Sequence, residues 1–66
     1  MTTTPLQRLE AARRELGMRY AVYPRRVASG KMSAAQMDHE IAVMADIVTV
    51  LQGFIPDEQH GLFDND

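Results

Sequence analysis

One short pattern, present twice, constrains this chain more than anything else in it. Thr4-Pro5-Leu6-Gln7 and Ser33-Ala34-Ala35-Gln36 each set a hydroxyl residue three positions ahead of a glutamine. At that spacing the hydroxyl can accept a bond from an orphan amide of a helix's first turn, and the glutamine can reach back to the cap amide. Pro5 suits the first helical position, where its missing N–H costs nothing. Met32, just ahead of the second box, can staple onto Met37 one turn inside. Gly30 stands where the first helix must stop and offers the left-handed conformation that commonly ends helices. A connector of about four residues makes the two helices antiparallel neighbours. The fold class is all-α, a helical hairpin.

Apolar spacing agrees. Leu6, Leu9, Leu16, Tyr20, Tyr23 and Val27 recur at three-and-four intervals, interrupted only at Arg13, the pattern of a helix packed along one face. Met37, Ile41, Met44, Val48 and Leu51 form the second stripe, with Ile47 widening it and Gly53 as the stop; Phe54 is expected to fold back on Val48. Pro24 interrupts the first pattern. It cannot donate to the carbonyl of Tyr20 and its ring crowds that carbonyl, so the helix is expected to kink there, with a clean break as the alternative. Val27 keeps the stripe in phase past it, which favours the kink.

A single hairpin of this length shields only part of each stripe, and 66 residues bury too little surface to be comfortably stable alone. There is no cysteine, hence no disulfide and no thiolate metal site, and two separated histidines make no ligand cluster. No cofactor is expected. Self-association is the remaining source of stability, and two hairpins pairing into a dimeric four-helix bundle would bury the rest of Leu9, Leu16, Tyr20, Tyr23 and Val27 against Met37, Ile41, Met44, Val48 and Leu51. The expected layout is a disordered N-terminus over residues 1–4, the hairpin over 5–53 and a flexible acidic tail over 54–66 that carries a linear motif. With no membrane-length apolar run and no basic-then-apolar leader, the chain reads as cytoplasmic and soluble, with no membrane contact.

Charge is segregated. All seven basic residues and two of the nine acids lie in residues 1–31, so the halves carry +5 and −7. Arg19, Arg25, Arg26 and Lys31 could form a basic surface for nucleic acid or an acidic host protein. The blander account is that Arg25 and Arg26 near one helix end, and Asp38 and Glu40 near the start of the next, each suit the local dipole. It is favoured because no clean basic stripe emerges around the helix. Tyr20 and Tyr23 could stack on bases but sit on the apolar stripe. His39 and Glu40 are sequence neighbours and do not face each other, and no hydroxyl has a base partner, so no catalytic residue is nominated and enzymatic activity is not expected.

Arg19, Val22-Tyr23-Pro24-Arg25, Val27, Gly30-Lys31-Met32 and Glu40-Ile41-Ala42-Val43-Met44 resemble a pattern in small helical proteins encoded by bacteriophages and prophages. The resemblance spans roughly residues 14 to 51 and implies a phage context, in a host bacterial cell, with no site residues to carry over. Gln59, two intervening positions of which the first holds His60 in place of the usual leucine, then Leu62-Phe63 in an acidic tail resemble the peptide by which many bacterial proteins hold the replication sliding clamp. That implies partner binding by Gln59 at the rim of an apolar groove and by Leu62 and Phe63 as its anchors. The alternative is that Leu62 and Phe63 cover the end of the bundle.

Overall fold

A computed structural model of the chain describes residues 2–55 and shows two antiparallel helices, α1 over Pro5–Ala28 and α2 over Ala34–Gln52. Both capping boxes close. The Gln7 amide donates to Thr4 Oγ1 at 3.0 Å while the Thr4 amide donates to Gln7 Oε1 at 2.9 Å, and Ser33 and Gln36 repeat the exchange at 3.0 and 2.9 Å. Two orphan donors are thereby satisfied at each start. Just ahead of α1, Arg8 Nη1 donates to both the carbonyl and the hydroxyl of Thr3.

α1 ends in a Schellman motif. Gly30 has φ of 80°, the Lys31 amide donates to the Arg26 carbonyl at 2.9 Å, and the Gly30 amide donates to the Val27 carbonyl at 3.1 Å. Those bonds satisfy carbonyls that the last turn would leave orphaned. Arg25 and Arg26 lie in that last turn and suit its dipole, but the first turn of α2 holds no acid. Asp38 and Glu40 fall beyond the turn over which the dipole acts, so the expected matching acids at α2 are not there.

α1 runs through Pro24 as one helix, so the clean break does not occur. Tyr20 and Pro24 are both exposed, which puts the carbonyl deprived of its donor on the side where water can reach it.

The core lies between the helices: Leu9, Ala12, Met44, Val48 and Ile55 are buried, with Leu6, Leu16 and Leu51 packed against them. Tyr23, Val27, Met37 and Ile41 are partly buried toward the connector. Two positions of the α1 stripe differ from the expected ones. At the interruption marked by Arg13, Ala12 fills the gap, and in place of the expected Tyr20, which is 58% exposed, Arg19 turns inward. The face in use is therefore Leu9, Ala12, Leu16, Arg19, Tyr23, an unbroken three-and-four series.

The third difference lies past α2. Gly53 keeps a right-handed conformation (φ −64°, ψ −18°), and short bonds from the Phe54 amide to the Leu51 carbonyl and from the Ile55 amide to the Gln52 carbonyl tighten the turn. This brings Ile55, not Phe54, into the core; Phe54 is exposed. The hairpin's packing thus includes a residue assigned above to the tail. Ile55→Ala is expected to lower stability by about 2 kcal/mol, the range for emptying a buried aliphatic site, and Phe54→Ala to change the stability of the single hairpin by less than about 0.5 kcal/mol. Urea denaturation of the two variants at low protein concentration checks the contrast; equal losses would contradict the packing.

Candidate functional site

α2 carries two apolar faces. Met37, Met44, Val48 and Leu51 turn toward α1, as does Ile55 in the turn that follows. Val43, Ile47 and Val50 follow a separate four-and-three series roughly 100° further round the helix, with the exposed Phe54 in the turn just past its end, and α1 does not cover them. They are 38%, 41%, 61% and 64% exposed. Along this face Val43, Asp46, Ile47, Val50 and Leu51 line an open groove of about 300 Å³, in which Asp46 is the one charged side chain. Apolar side chains thus occupy roughly half of the α2 circumference, more than α1 alone covers. In the sequence, Ile47 fits the inner stripe as a widening of it, while Val43 and Val50 fall outside that stripe.

A polar cluster ties the two helices together at mid-height. Arg19 Nε donates to Glu15 Oε2 at 3.0 Å, one turn back on α1, and Arg19 Nη1 donates to the backbone carbonyl of Glu40 at 2.8 Å, with Glu40 Oε1 3.5 Å away. The guanidinium carbons of Arg19 and Arg26 lie 5.8 and 5.9 Å from the centroid of the Tyr23 ring, within the range of cation–π attraction. The hydrogen bond to Glu15 is the largest cause holding the Arg19 guanidinium above the ordinary arginine value, so it stays a cation and a donor. Its side chain is only 18% exposed. Long side chains cover apolar surface with their stems in this way.

That geometry divides the basic residues nominated above. Arg19 is committed to Glu15, Glu40 and Tyr23, and does not join a free basic surface. Arg25, Arg26 and Lys31 are exposed around the connector, with Arg26 against Tyr23. Gln59, Leu62 and Phe63 lie outside the described residues. Among the described residues no helix is long and apolar enough to cross a membrane, and no three His, Cys, Asp or Glu side chains converge as a metal site would require.

No family model, curated protein or solved structure matches the chain.

Proposed function

We propose that this is a non-enzymatic phage or prophage protein that acts by contact: it pairs with itself into a dimeric four-helix bundle and holds the sliding clamp of the host bacterium through Gln59, Leu62 and Phe63. The observation that carries the first half is the second apolar face of α2, since four large side chains at helical spacing are left to water in a chain with only a small core. The second half is supported by the tail's spacing. In sequence, Leu62 and Phe63 fall outside both helical stripes, and an adjacent apolar pair with a glutamine three positions ahead suits an extended peptide laid into an apolar groove. The halves reinforce each other. A dimer presents two such peptides, and a ring with more than one groove could hold both through avidity.

The test is binding of the full chain to a purified bacterial clamp, beside a variant carrying Leu62→Ala and Phe63→Ala. Loss of both anchors is expected to abolish measurable binding. His60 stands where such peptides usually carry leucine, so His60→Leu is expected to tighten binding by about tenfold, the value of one additional buried side chain of this size. Binding that is equal in the wild type and the double variant, or absent from both, removes the clamp.

A further inference from the structure

We infer that self-pairing runs along the outer face of α2 as an isologous antiparallel seam, in which Val43 of one copy packs against Phe54 of the other and Ile47 against Val50. The inference rests on the self-pairing proposed above and specifies where it occurs and in what register. Its basis is the spacing itself. Positions 43, 47 and 50 lie on α2 at intervals of four and three, the spacing of a coiled-coil seam, and Phe54 follows in the turn just beyond the helix, continuing the same pattern in sequence. Aligned antiparallel with a copy of itself about a point between residues 48 and 49, the series places all four side chains opposite one another with none left over.

The pairs match in size and charge as well as in register. The largest side chain, Phe54, meets the small Val43, and Ile47 meets Val50, so every layer joins a larger group to a smaller one. Asp46 borders the groove, and in this register it lies level with Leu51 of the other copy. The two Asp46 carboxylates are then offset by about 7.5 Å along the axis, at 1.5 Å per residue, and no like charges are opposed within the seam. Glu40, one turn ahead of Val43, is held by Arg19 and bounds the seam. Because the seam lies roughly at right angles to the face that meets α1, pairing through it sets the four helices at the corners of a square, as a bundle requires.

Size sets the strength. Four partly shielded side chains per copy expose well below the ~800 Å² per partner of a standard stable interface. The dimer is therefore of the weak, transient class and dissociates on dilution.

Sedimentation of the full chain tests this with Ile47→Glu and Val50→Lys, alone and mixed. Each variant alone is expected to weaken self-association by at least about tenfold while circular dichroism reports unchanged helix content. An equimolar mixture is expected to recover association, because the antiparallel register sets the new carboxylate at 47 against the new ammonium at 50. Should either charge disturb the helix, Val43→Thr with Val50→Thr removes apolar contact at nearly constant volume and is expected to weaken pairing likewise. A wild type that stays monomeric at millimolar concentration removes self-pairing altogether. A dimer indifferent to these substitutions removes the seam and leaves self-pairing standing, and variants that do not rescue each other when mixed overturn the antiparallel register.

Discussion

Leu9→Ala is expected to lower the stability of the hairpin at 25 °C and low concentration by about 3 kcal/mol, the largest loss of any single core truncation. Leu9 is the most completely buried large side chain among the described residues, at 2% exposure, and it sits where Met44, Val48 and Ile55 converge on α1. Removing its three outer carbons forfeits their transfer free energy and leaves a cavity that two helices can only partly close, a loss of about 3 kcal/mol. Native domains hold roughly 0.05–0.15 kcal/mol per residue. For 66 residues that is about 3 to 10 kcal/mol, so the substitution removes between about a third and nearly all of it. Far-UV circular dichroism through a urea titration measures it, and a series of protein concentrations separates the hairpin's own stability from what pairing adds. A loss under about 1 kcal/mol would mean that the hairpin core is not where the chain's stability resides. Leu16→Ala provides the internal scale: that side chain is only partly buried and should lose noticeably less.

How much of this was legible in the sequence depends on how far apart the interacting residues are. The capping boxes and the Gly30 stop involve groups within five residues of one another, so local spacing sufficed to place both starts and the first end. The inner face of α1 was harder, because Arg13 and Tyr20 each lie one position from the residues that turn inward. Alanine at 12 permits close approach of α2. An arginine at 19 can turn inward because Glu40 on the other helix accepts from it, a fact about tertiary contact that no property of α1 alone reveals. At the end of α2, Phe54 outranks Ile55 in size, so size alone favoured the wrong residue; the tight turn after Gly53 decides the matter by aiming position 55 at Leu9 and its neighbours. α2 itself was ambiguous in principle. With apolar residues on two adjacent faces, periodicity marks both and cannot say which one α1 takes. The clamp-binding residues Gln59, Leu62 and Phe63 lie outside the described residues, and for them the sequence pattern remains the whole argument.

Pro24→Ala is expected to do the reverse of Leu9→Ala and raise stability by about 2 kcal/mol. A proline inside a helix forgoes one backbone bond and crowds the carbonyl four residues back, at roughly 3 kcal/mol relative to alanine. Part of that is offset because proline also restricts the unfolded chain, a benefit of up to about 1 kcal/mol that alanine would surrender. Here the affected carbonyl belongs to Tyr20, both residues are exposed, and α1 nonetheless continues four residues further to Ala28. Those four residues include Arg26, which lies over Tyr23, and Val27, whose carbonyl accepts from Gly30 in the connector. The helix thus bears the proline's cost in order to carry the connector onward. For a domain this small, 2 kcal/mol corresponds to a rise of roughly 10 °C in Tm, which a thermal melt followed at the helical band would resolve. A gain of that size would mean that the last turn of α1 packs equally well on a straight axis, and that Pro24 serves something other than the hairpin's stability. No gain, or a loss, would mean that the local geometry imposed by the proline is what aligns Tyr23 and Val27 with α2. In that case Gly30→Ala, strained at a φ of 80° whatever the neighbouring space, should destabilise the Pro24→Ala variant by a different amount than it destabilises the wild type, because both substitutions would act on one connector.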